Sequence, residues 1–164
     1  MRNKLGFALT LLPLCAGFAQ AHVSLTEKTA KAGGELLAAL RVGHGCNGSP
    51  TISLTVSLPP GVTARPQAKT DWSIEQKHEA GKPATIGWRG GSLAADQFDD
   101  FPILLHLPAT PGILAFPVNQ VCAAGSENWS ELPAPGKSLS HPAPLLTVVK
   151  DTAPSDDMHG MVMP

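Results

Sequence analysis

Tyrosine is absent from this 164-residue sequence, and charged residues make up only 15% of it. Basic clusters are missing as well: 12 Lys and Arg are scattered along the chain against 13 Asp and Glu. Nucleic acid and anionic membrane surfaces both need concentrated positive charge, so neither is expected as a partner. No amphipathic helical pattern and no internal repeat is found. After the first 21 residues there is no apolar stretch long enough to cross a bilayer. Zinc-finger spacing is also lacking, because neither Cys46 nor Cys122 has a second Cys or a His at the usual intervals.

The N-terminus carries a clear signal. Arg2 and Lys4 precede an apolar run from Leu5 to Phe18, and Ala19 and Ala21 supply small residues at the −3 and −1 positions of a secretory cleavage site. Leu14 before Cys15 is too large for a lipoprotein signal, so no lipid anchor is expected. Cleavage after Ala21 leaves 143 residues, enough for one domain, with a net charge of about −3 once Arg2 and Lys4 are gone. The expected organisation is a signal peptide at 1–21, one domain at 22–150 and a disordered Met/His-rich tail at 151–164. The expected location is periplasmic or extracellular.

Cleavage would make His22 the first residue. An N-terminal histidine offers two nitrogen donors, the α-amine and imidazole Nδ1, which together close a chelate ring on one metal ion. Cys15 leaves with the signal, and Cys46 and Cys122 remain as an even pair in an exported chain, for which a disulfide is expected.

Sixteen Gly and sixteen Pro, with short apolar runs between turns, indicate an all-β fold. Alternation is strict from Thr51 to Leu58, which predicts a strand with Ile52, Leu54, Val56 and Leu58 inward, ended by Pro59-Pro60-Gly61. Further strands are predicted at Leu36–Val42, Val62–Arg65, Ser73–Lys77, Thr85–Trp88, Phe101–Leu107, Ile113–Val118 and Leu145–Val149. Arg89-Gly90-Gly91 reads as a turn, and the Pro-rich stretch 133–144 as an extended crossing. About eight strands at this spacing predict an immunoglobulin-like β-sandwich, a single domain with one disulfide.

Metal-capable residues besides His22 are the other histidines and the carboxylates, above all Asp99 and Asp100. On an extended strand Asp100 and His106 share a face but lie about 20 Å apart, too far to hold one ion. His78, beside a charged turn, and His141, between serine and proline, read as solvated. His44 differs, since it sits in Gly43-His44-Gly45-Cys46, where a disulfide would hold its loop as a ligand or just behind the ligands. Trp129, in a polar loop, either plugs the end of the sandwich or walls a metal site from water.

Read in order, these pieces resemble the YcnI-like copper-binding domain family over nearly the whole mature length. They are His22-Val23 after the signal; His44-Gly45-Cys46-Asn47-Gly48-Ser49-Pro50-Thr51; Pro59-Pro60-Gly61-Val62; Trp88-Arg89-Gly90-Gly91; Phe98-Asp99-Asp100-Phe101; Phe116-Pro117-Val118-Asn119-Gln120-Val121-Cys122; Trp129; and Pro142-Ala143-Pro144. The resemblance implies an exported β-sandwich holding Cu(II) in a mono-histidine brace formed by His22, a carboxylate and a nearby Trp. Carried over, the carboxylate is Asp100 and the tryptophan Trp129. The family usually has Glu at this carboxylate, so Asp100 is one methylene shorter and Asp99 stays as the alternative.

Copper also suits the chemistry, because nitrogen-rich sites with an oxygen donor favour Cu(II). Apart from Met1, every methionine lies in the tail, where Met158, His159, Met161 and Met163 offer soft donors suited to Cu(I). The expected function is copper trafficking, storage or delivery without catalysis, in company with another periplasmic copper protein. A copper oxidase with a two-histidine brace is the first alternative, disfavoured because the chain lacks the Tyr usual at its axial position. A metal-free interaction module is the second.

Overall fold

The computed structural model describes residues 22–151. The signal segment and the tail methionines therefore lie outside the described residues. The chain is all-β. Its strands are β1 (Ser24–Leu25), β2 (Thr29–Lys31), β3 (Glu35–Val42), β4 (Thr51–Ser57), β5 (Thr63–Pro66), β6 (Ser73–Lys77), β7 (Thr85–Leu93), β8 (Asp99–His106), β9 (Gly112–Ala115), β10 (Val118–Cys122), β11 (Ser126–Trp129) and β12 (Leu145–Val149).

They form a four-stranded sheet in the order β1-β3-β8-β5, a five-stranded sheet β11-β10-β4-β7-β6, and a small third sheet β2-β12-β9. The inward faces of the two larger sheets supply one core. From β3 and β8 come Leu40, Val42, Phe101, Ile103 and Leu105, and from β4, β7 and β10 come Leu54, Val56, Ile86, Trp88 and Val118. Phe101 links the layers, with its ring centroid 5.5 Å from Trp88 and 4.9 Å from Trp72, both edge-on, as aromatic quadrupoles prefer.

Sheet pairing corrects four sequence readings. Arg89-Gly90-Gly91 is no turn but the middle of β7, where Gly91 leaves room for Trp72; a Cβ there would lie 2.3 Å from the indole. The stretch 113–118 is two strands in different sheets, parted at Phe116-Pro117, because β9 pairs with β12 while β10 pairs with β4 and β11. Short β1, β2 and β11, with too few residues to show alternation, together with that split raise the count from eight to twelve. The alternation in β4 also breaks at its start: a register shift against β7 between Thr51 and Ser53 turns Thr51 fully inward and leaves Ile52 exposed. That irregularity places a buried hydroxyl against the Gln120 amide of β10.

Candidate functional site

Four parts of the chain converge on one open cleft of about 280 Å³, lined by His22, His44, Asn47, Glu127, Trp129, Ser140 and His141. His22 enters two residues ahead of the edge strand β1. Trp129 and Glu127 come from β11, the edge strand of the other large sheet. The cleft therefore lies where the edges of the two layers meet.

The His44 loop is shaped by local backbone rules. Asn47 and Gly48 both have positive φ, 47° and 81°, and Ser49 N donates to Cys46 O at 2.8 Å. This is the Asn-Gly tight turn of a hairpin with both central residues left-handed. Gly45 is needed for a different reason: a Cβ there would lie 1.9 Å from the Ser49 carbonyl oxygen. His44 Nδ1 lies 2.5 Å from Gly45 O. A carbonyl only accepts, so the proton lies on Nδ1 and, in the neutral ring, the lone pair on Nε2. As expected, Cys46 and Cys122 form a disulfide, tying this loop to the end of β10.

His141 is brought in from far along the chain. Its carbonyl accepts from Ser130 N and Glu131 N, both at 3.0 Å, and its own N–H donates to Glu131 Oε2 at 2.8 Å. The Pro-rich crossing is thereby sewn to the end of β11, and the His141 ring lies 5.0 Å from Trp129. His141 Nε2 donates to Glu127 Oε2 at 2.9 Å, which leaves Nδ1 bare in the neutral ring. Trp129 also meets the His22 ring edge-on at 5.7 Å. The buried indole thus lies against two imidazoles and lines the cleft.

Of the residues the sequence singles out, the structure brings His22, His44 and Trp129 together in the cleft. Sequence reading and structure part at the carboxylates. Asp100 sits on β8 opposite Arg41 of β3, and Arg41 Nε and Nη2 donate to its two oxygens at 2.7 Å each. That hydrogen-bonded guanidinium holds the Asp100 carboxyl below the usual carboxylate range. Asp99 is paired with Lys69 at 2.6 Å. Neither lines the cleft; its carboxylate is Glu127. Register puts the Asp100 backbone about 10 Å from that of Ser24, two strand spacings away with Arg41 between. His106 pairs with Glu35, and His78 is exposed. His141, read from the sequence as merely solvated, also lines the cleft, as does Glu127, which sequence reading did not single out. Glu127 lay two residues before Trp129, on the same face of any strand, and that spacing was the available signal.

Among the described residues no three His, Cys, Asp or Glu side chains stand close enough to hold an ion together. An N-terminal brace does not require three, because one residue provides two nitrogens. The cleft adds further imidazoles and one carboxylate, a donor set of the kind that suits Cu(II).

Fold and site together define an immunoglobulin-like β-sandwich with a histidine-lined cleft at the meeting of its two sheet edges. Residues 22–148 match the family model described as Domain of unknown function (DUF1775), and the chain belongs to that family, which accords with the YcnI-like resemblance. Among solved structures it is similar to an uncharacterized protein from Nocardia farcinica reported to have an immunoglobulin-like fold. That similarity has 26% identity over 79% of this chain and 99% of the other, with a TM-score of 0.68. The seventh ScaB type I cohesin from Pseudobacteroides cellulosolvens matches at 10% identity over 85% of this chain and 97% of its own, with a TM-score of 0.49. At that level it carries no functional argument. Comparison with curated proteins gives no match.

Proposed function

We propose that this protein is exported, is cleaved before His22, and binds Cu(II) in the cleft as part of copper trafficking, storage or delivery, without catalysing a reaction. The observation that carries the reading is the convergence of His22, His44 and Trp129 from distant parts of the chain, around the residue that cleavage would make N-terminal. His22 would contribute its amine and imidazole; His44 and Glu127 line the same cleft but do not stand close enough to share an ion with it as the side chains lie, so both would have to close on the ion. The resemblance names Asp100 as the carboxylate, but a copper ion would have to draw it from Arg41. Glu127 is already in the cleft and is the carboxylate we assign. The buried Trp129 indole, which lines the cleft, would shield a bound ion from water on its side.

The test is a Cu(II) titration of processed protein, followed by electron paramagnetic resonance. Protein starting at His22 is expected to bind one Cu(II) with nitrogen hyperfine structure. A form with one extra residue before His22 loses the amine donor and is expected to lose most of the affinity. Equal binding by the two forms would remove the brace from the reading.

A further inference from the structure

Thr51 and Gln120 are the two polar side chains buried below a tenth of their surface among the described residues, at 0% and 1% exposure. Everything else so deeply buried is apolar or a disulfide cysteine. The two polar residues lie together. Gln120 Nε2 donates to Thr51 Oγ1 at 2.8 Å and to the His44 carbonyl at 2.8 Å, while Gln120 Oε1 accepts from Trp129 Nε1 at 2.9 Å. Both amide hydrogens are used, and no buried side-chain nitrogen or oxygen among the described residues lacks a partner.

Burying an amide costs free energy that its hydrogen bonds only offset, and an apolar residue of similar size would satisfy the core alone. The place where this fold accepts that cost therefore requires a reason. Two of the three bonds end on walls of the cleft, the His44 backbone and the Trp129 indole, and the third ends on Thr51. The disulfide, two residues beyond both His44 and Gln120, ties the loop to the end of β10, with Cα atoms 5.9 Å apart. A single tether does not fix the rotation of a peptide plane or of an indole. The amide does, because its donors and acceptor are coplanar and point at different walls.

We infer that Gln120 is a positioning residue of the cleft, a closed amide switchboard that sets the His44 loop and the Trp129 ring relative to each other for the metal ion. Thr51, turned inward by the irregular start of β4, holds the amide against rotation. The inference rests on the copper reading for the identity of the ion, though not for the arrangement of the walls.

The test uses protein beginning at His22 and its Gln120→Met variant, which keeps length and volume but loses all three bonds. Leu54→Ala, a core truncation outside the cleft, controls for general loss of stability. Three quantities are measured: melting temperature, Cu(II) affinity with its electron paramagnetic resonance spectrum, and the metal-free NMR signals of the Trp129 indole N–H and the His44 loop amides. Gln120→Met is expected to lower Cu(II) affinity about tenfold or more, as losses behind a metal ligand commonly do. It should also shift the copper spectrum and move the Trp129 indole signal, whereas Leu54→Ala lowers the melting temperature with the spectrum unchanged. If Gln120→Met only lowers the melting temperature and leaves spectrum and affinity as in the parent, Gln120 is merely structural and the inference is overturned. Should that variant fail to fold, Gln120→Glu serves instead. Its carboxyl group can still accept from Trp129 but cannot donate two hydrogens, so the indole signal should stay and the His44 loop amides should move; unmoved loop amides overturn the inference. Absence of Cu(II) binding by the parent would sink the copper reading, while the metal-free NMR signals would still decide on Gln120.

Discussion

At the scale of single residues, the cleft depends on which lone pairs and charges are free. Asp100 and Glu127 are both carboxylates near the required region, and they differ in their neighbours. Asp100 is held by a two-pronged guanidinium fork, whereas Glu127 accepts a single hydrogen bond from His141. Glu127→Gln is therefore expected to change the Cu(II) spectrum and weaken binding more than Asp100→Asn. The reverse order would return the carboxylate role to Asp100, with Arg41 displaced on binding. The Arg41 pair also has a pH signature. Because the folded Asp100 carboxyl is shifted down, chiefly by its hydrogen bond from Arg41, the stability it contributes is complete above the ordinary Asp pKa of about 3.9. It is lost as pH falls through the lower folded value. Arg41→Ala should bring the Asp100 titration, followed by carboxyl NMR, back up toward the ordinary range; no upward movement would mean the pair is not formed in solution. The effect on overall stability should be slight, since both side chains are largely exposed.

At the scale of elements, what was legible in the sequence was whatever local chemistry dictates. The β8 alternation put Phe101, Ile103, Leu105 and Leu107 inward, and all four are buried. Ser73–Lys77 and Leu145–Val149 have the predicted limits because turn residues bracket them. His22, His44 and Trp129 could be picked out because a cleavage site, a Gly-His-Gly-Cys segment and a tryptophan in a polar stretch are each unusual in themselves. His141 and Glu127 were not legible as a pair, because their proximity arises from the docking of residues 141–143 on Glu131, a contact set by tertiary packing. The Thr51 inversion escaped for the same reason, since register belongs to the partner strand. The loop between β3 and β4 offers a direct test of local shape. Gly45→Ala forces a methyl group onto the Ser49 carbonyl and should cost about 1–3 kcal/mol in thermal or denaturant unfolding. It should also shift the copper spectrum by moving His44, whereas a stability loss with an unchanged spectrum would place His44 outside the ligand set.

For the molecule as a whole, two sheets closed over an apolar core would exist without the cleft, and the disulfide is where fold and cleft are joined. Cys46 and Cys122 are separated by 76 residues. Closing a loop of that length stabilises by about 4–5 kcal/mol in the chain-entropy model, out of a total of about 5–15 kcal/mol typical of a domain. The double variant Cys46→Ala/Cys122→Ala should therefore still fold, since the core from Leu40 to Val148 does not depend on the sulfurs. Its melting temperature should fall by roughly 10–20 °C for a domain of this size. The hydrogen bonds from Gln120 to His44 and from Trp129 to Gln120 remain in that variant, as does the Asn47-Gly48 turn. Below its melting point the double variant should accordingly bind Cu(II) with a spectrum close to that of the parent, because the walls are set by the buried amide and the disulfide contributes mainly through the unfolded chain. Calorimetry and electron paramagnetic resonance on the same sample separate the two effects. A spectrum that collapses while the domain is still folded would assign the shape of the cleft to the disulfide, and an unchanged melting temperature would mean that strain or residual structure cancels the entropy of the closed loop.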